Sequence, residues 1–301
     1  MSTAFRTDIS PVVATGEAAF QVARQQRRLA TLVTIAVILP CLVLAGWVSE
    51  AWPSTIWAGL PRIGEYFWRI LPTLSLEHLF GGTKTEGSLA FWFYRAPEWL
   101  WLLFETANMA ALATLMGSAV SLLLAFPAAR NLAPSRLIYQ LTRRSLEALR
   151  TVPEIVYALI FVWAFGVGAL AGILAIALHS AGANGKLFAE AIENTDLGAW
   201  DGVRSAGGSW ALCCRYAILP QVLPNLISYF LLRFEVNIRS ASVVGFVGAG
   251  GIGAELYQVI SFNYYEEISA IILLIILAVA SIDLISERLR HAIIGRLGGP
   301  A

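Results

Sequence analysis

Charge is scarce in this chain of 301 residues: 14% are Asp, Glu, Lys or Arg, and there are three histidines and three cysteines. His78, His179 and His291 stand far apart, so no H-E-x-x-H pair is present to hold a catalytic zinc. No G-x-S-x-G turn offers a serine nucleophile. Gly185-Lys186 lacks the earlier glycine and the following Ser or Thr of a phosphate-binding loop, so any ATP used must be hydrolysed by another chain. Cys41, Cys213 and Cys214 make neither a disulfide framework nor metal-ligand spacing. A net charge of +1 gives no argument for nucleic acid. The expectation is a chain that is not an enzyme and holds no metal or cofactor of its own.

What is abundant is apolar: 57% hydrophobic residues, ten tryptophans and a mean hydropathy of +0.68. About twenty apolar residues cross a bilayer. Six stretches qualify, near 29–47, 106–128, 146–165, 168–188, 220–241 and 268–285. The first starts late and is too long for a signal-peptide core. A seventh piece, 53–74, mixes Trp57, Phe67 and Trp68 with Arg62, Glu65 and Arg69, which suits a helix lying in the interface. The fold class expected is therefore an all-α, polytopic membrane protein with about six transmembrane helices. Arginine clusters at 24–28, 130–144 and 288–296 fall on one side if there are six crossings, which places both termini in the cytoplasm. This gives a cytoplasmic segment 1–28, a first span with an extracytoplasmic or interfacial region over 29–97, a transmembrane domain over 98–290, and a cytoplasmic tail 291–301.

Between the fourth and fifth spans lies DGVRSAGGSWALCCRYAILP, residues 201–220, polar and glycine-bearing among hydrophobic neighbours. Its spacing resembles the coupling motif of ABC-transporter permeases: E-A-A, three residues, G, nine residues, I, one residue, L-P. Asp201 stands at the acidic position, Gly207 on the glycine, Ala217 on the isoleucine, and Leu219 and Pro220 on the final pair. Gly207 permits a turn. Pro220 lacks an N–H and suits the first turn of a following helix. Asp201 and Arg204 are candidate contacts to an ATPase.

Three further stretches, RTVPEIVYALIFVWAFG from Arg150, GKLFAEAIENTDLG from Gly185 and RFEVNIRSASVVGFVGAGGIGAELYQVI from Arg233, resemble the phosphonate ABC-transporter permease. The likeness runs from about residue 143 to 290. It implies a methionine-permease-like ABC-importer core with a cytoplasmic coupling helix, in the bacterial inner membrane. It also implies a second copy of the chain, two ATPase subunits using ATP and Mg, and an extracytoplasmic binding protein. Phosphite, hypophosphite and phosphate are rival substrates to phosphonate. Two readings of another class are a membrane enzyme acting on lipid phosphates and a passive channel.

The fifth span carries charge, which is costly in a membrane and usually faces a cavity or a partner. Arg233, Asn237 and Ser240 share one helical face. Glu235 and Arg239, four apart, have the order of an intrahelical ion pair. Arg233 then either lines an anion path or pairs with Glu147, Glu154 or a dimer partner. Glu154, after Pro153, sits either at a kink in the third span or at a helix start. Gly245, Gly248, Gly250, Gly251 and Gly253 read either as a re-entrant gate or as tight helix packing.

Overall fold

A computed structural model describes residues 11–297, which form helices and connecting loops with no strand among them. They divide into two compact units, one ending at Trp68 and the other starting at Arg69. The first holds α1 (Pro11–Val48) and most of α2 (Pro53–Ile70). No side chain described on α1 is buried, and Leu32, Ile35, Leu39 and Leu42 are each at least half exposed. An apolar helix of 30 residues exposed all round, Ala19–Val48, is what lipid contact requires. Trp57 and Trp68 on α2 are likewise exposed beside charged neighbours.

The second unit is a bundle built from α3 (Leu89–Trp92), α4 (Ala96–Ala128), α5 (Arg136–Thr151), α6 (Glu154–Phe165), α7 (Ala169–Glu193), α8 (Gly198–Ser205), α9 (Trp210–Leu212), α10 (Leu219–Val244), α11 (Gly251–Ser261) and α12 (Tyr265–Leu297). α4 and α7 form its centre, with α5, α6 and α10 against α7 and α12 against α10. Small residues bring the central pair together. A methyl group on Gly117 of α4 would lie 2.7 Å from the Ala177 carbonyl of α7. Between apolar helices in lipid, such close backbone approach supplies the attraction that water expulsion supplies elsewhere.

Among the described residues, four helical stretches are long and apolar enough to cross a membrane: Ala19–Val48, Ala96–Ala128, Trp210–Val247 and Tyr265–Ile293. The expected third span, 146–165, is corrected. It is not one helix but the end of α5 and all of α6, bent by 84°. Pro153 is the cause: it drives Val152 into an extended conformation (ψ 124°) and then caps α6, so Glu154 marks a helix start and not a kink. The expected fourth span is α7, whose inner residues Ser180 and Asn184 have no exposed surface. Enclosed by other helices, α7 can carry polar groups that lipid-facing helices exclude.

Candidate functional site

The segment 201–220 begins with a short amphipathic helix. Trp200 turns α8 inward against Ile192, Leu132 and Cys213, while Asp201 and Arg204 are exposed on its other face. The helix ends in a paired cap: Gly207 N–H donates to the Arg204 carbonyl and Gly208 N–H to the Val203 carbonyl, each at 3.0 Å. This closure needs a left-handed residue, and Gly207 has φ +88°. The chain then turns at Ser209, whose hydroxyl caps α9, and the Trp210 indole N–H donates to the Leu132 carbonyl at 2.7 Å.

α10 starts at Leu219 with Pro220 in its first turn, and helix geometry has already been resumed at Trp210, ten residues before Pro220. A π-helical stretch, Cys213–Ile218, joins α9 to α10 without a break. Proline inside an α-helix removes a hydrogen bond and collides with the carbonyl four residues earlier. A wider π turn accommodates both effects. The result is one helical rod from Trp210, within the 201–220 segment, to Val247, 38 residues long.

Along that rod the polar residues divide among four neighbours, α4, α7, α6 and α12. Asn237, fully buried, donates to Thr114 Oγ1 of α4 at 2.8 Å and to Ser180 Oγ of α7 at 2.9 Å. Arg233 Nε donates to the same Ser180 hydroxyl at 3.1 Å. Its Nη2 is buried without a hydrogen-bond partner among the described residues, and Arg233 forms no ion pair there. Glu147 is paired with Arg144 instead. Ser240 turns to α6 and donates to Glu154 Oε1 at 2.7 Å.

The intrahelical pair expected between Glu235 and Arg239 is not formed. Glu235 pairs with Arg290 and Arg239 with Asp283, both on α12. Packing against another helix brought nearer partners than the sequence could show. The Glu235–Arg290 pair is the more enclosed of the two, with side chains 12% and 28% exposed. Glu235→Ala is therefore expected to lower thermal stability by about 1–3 kcal/mol. Arg239→Ala, at a half-exposed pair, should cost less than about 1 kcal/mol. Equal costs in a detergent melting assay would refute the assignment.

Past Val244 the rod leaves α-helical form. A short 3-10 turn, Gly245–Val247, leads through Gly248 to Gly250 (φ +82°, ψ −168°), a conformation open in practice to glycine alone. Gly168 N–H donates to the Gly248 carbonyl at 2.9 Å, and Ile252 N–H to Thr106 Oγ1 at 2.9 Å. Gly251 starts α11, and Gly253 presses on the Ser242 carbonyl. Irregular backbone and tight packing, separate expectations from sequence, thus occur in the same segment.

A further cluster escaped sequence reading because Arg95 lies 160 residues or more from two of its partners, Glu255 and Glu267. Arg95, before α4, contacts Glu98, Glu255 of α11 and Glu267 of α12. The hydrogen-bonded Glu98 carboxylate raises the Arg95 pKa above its usual value. Burial, aided by a 2.7 Å bond to Glu267, raises that of the Tyr94 phenol. The cluster ties the starts of α4 and α12 to α11.

Residues 117–298 match the family described as binding-protein-dependent transport system inner membrane component. The chain belongs to this family. Among its relatives, HtxC of Stutzerimonas stutzeri is 36% identical over 91% of this chain and 89% of its own length. The phosphite transport system permease protein PtxC of the same species is 38% identical over 85% and 87%. The phosphate-import permease protein PhnE of Mycolicibacterium smegmatis is 39% identical over 64% of this permease and 36% of its own length. In fold, the permease matches the MetNI methionine ABC transporter in an inward-facing form, with a TM-score of 0.56 and 20% identity, over 65% of this chain and 95% of that one. It is thus an all-helical inner-membrane transport component with an ABC-importer permease core.

Proposed function

We propose that this permease forms the path of an ATP-driven importer for a phosphorus oxyanion, a phosphonate in the first instance. Two copies would enclose the path, two ATPase subunits binding ATP and Mg would drive it, and an extracytoplasmic binding protein would deliver the anion. Both termini and the 201–220 segment face the cytoplasm in this reading, with the permease domain proper over 98–290. Asp201 and Arg204 offer the ATPase a polar face, while Gly207, Leu219 and Pro220 set its geometry. Arg233, Asn237, Ser240, Glu235 and Arg239 border the path, and the segment holding Gly245, Gly248, Gly250, Gly251 and Gly253 gates it.

The observation that carries the reading is a helix exposed on one face, α8, linked through one rod to a guanidinium with an unsatisfied buried N–H. A buried arginine donor left open is suited to an incoming oxyanion, because guanidinium matches tetrahedral oxygens in charge and geometry. The names of PtxC and PhnE support phosphorus oxyanions as the class, and PtxC favours phosphite as a second substrate.

The test is uptake of phosphonate and of phosphite by cells carrying the permease with its ATPase and binding protein. Arg233→Gln should reduce uptake about tenfold or more at normal membrane abundance, the worth of one charged hydrogen bond. Unchanged uptake and selectivity would remove Arg233 from the path.

A further inference from the structure

The corner between α5 and α6 and the facing side of α10 enclose an open cavity of about 350 Å³, lined by Pro153, Glu154, Val236, Arg239, Ser240 and Val243. Glu154 is half-buried there, its side chain accepts from the Ser240 hydroxyl, and among the described residues it forms no ion pair. Arg239 shares the cavity while holding Asp283 at 2.9 Å. The other charged or titratable groups around Glu154 are His179 of α7 and Arg233 of α10, which act on it through their fields, and Arg150 in the last turn of α5.

A carboxylate in this position works against simple attraction of anions, since it repels any ligand that brings only negative oxygens. It becomes an asset when the ligand brings a proton. A phosphorus oxyanion with one P–O–H donates that hydrogen to Glu154 while its charged oxygens face Arg239. After the proton is lost, the dianion meets the carboxylate with no donor between them. Resting on the anion-path reading above, we infer that Glu154, with Arg239 and Ser240 in the same cavity, admits phosphorus oxyanions that still carry an acidic P–O–H and holds back their fully deprotonated forms.

The experiment uses the permease with its ATPase and binding protein in liposomes, methylphosphonate as substrate, and saturating loaded binding protein. Second dissociations of phosphorus oxyacids lie near neutral pH. Transport by the native protein should fall between about pH 6 and about pH 9, whereas Glu154→Gln, whose amide both donates and accepts, should flatten the profile. The variant-to-native ratio should rise roughly tenfold over that interval, and taking the ratio cancels the pH response of the partner proteins. A constant ratio overturns the inference. His179→Gln should keep the native profile; a flattened profile there would assign the proton to His179 and overturn it equally.

If Glu154→Gln fails to reach the membrane, the native protein decides. Replacing methylphosphonate by a more acidic halogenated analogue should move the midpoint of the profile by the difference in the two substrates' second dissociation constants. A fixed midpoint refutes the inference. Slow uptake by Arg233→Gln together with a constant Glu154 ratio would leave the path reading standing and remove this inference alone.

Discussion

Gly253→Val is expected to leave almost no folded permease in the membrane. A side chain at this position starts inside the Ser242 carbonyl, with the Ser242 carbonyl carbon at 2.9 Å and the Gly245 Cα at 3.1 Å. Backbone lies on every near side, so no rotamer change relieves the overlap, and α11 must separate from the end of α10. Ordinary overpacking costs about 1–3 kcal/mol and backbone displacement costs more. Against a total stability of about 5–15 kcal/mol, that is a large fraction. The separation would also pull Ile252 from Thr106 and Glu255 from Arg95. Gly202→Val, whose site has nothing within 4 Å, is the control and should accumulate normally. Gel filtration of detergent extracts distinguishes the two. A monodisperse Gly253→Val protein at native abundance would show that the α10–α11 contact is dispensable.

Gly207→Trp should have the opposite character: intact fold, lost transport. Its site is open, with no atom within 4 Å of an added side chain. The left-handed backbone costs a non-glycine residue about 1–2 kcal/mol, which the bundle tolerates. The new indole would project beside Asp201 and Arg204 from the surface proposed to meet the ATPase. Uptake and substrate-stimulated ATP hydrolysis should both fall at least about tenfold while membrane abundance stays near native. Gly207→Ala, which bears the same backbone cost without the bulk, separates strain from obstruction and should retain most activity. Full activity in Gly207→Trp would remove this surface from the ATPase contact.

The apolar helices were legible from composition and length, because lipid imposes one strong rule on every residue that faces it. The Gly207 turn was legible too, since a left-handed helix end has few chemical solutions. Other features depended on what the chain meets after folding. Glu235 and Arg239 have the spacing of an intrahelical pair, yet α12 presents Arg290 and Asp283 at closer range. The continuity of the rod through Pro220 depended on a π stretch that no local propensity announces. The Arg95 cluster joins residues on three helices, and nothing at any one of them marks the others.

Trp210 gives the segment 201–220 an attachment that its spacing alone does not disclose. Through the chain it is continuous with α10, and through its indole it grips the loop that follows α4 at Leu132. Farther into the bundle, α4 and α10 are joined again by the Asn237–Thr114 bond. A displacement of the segment is therefore shared by two arms of a crank. Moving them together leaves the buried amide undisturbed, whereas moving one alone stretches it, so a single asparagine keeps the arms in step.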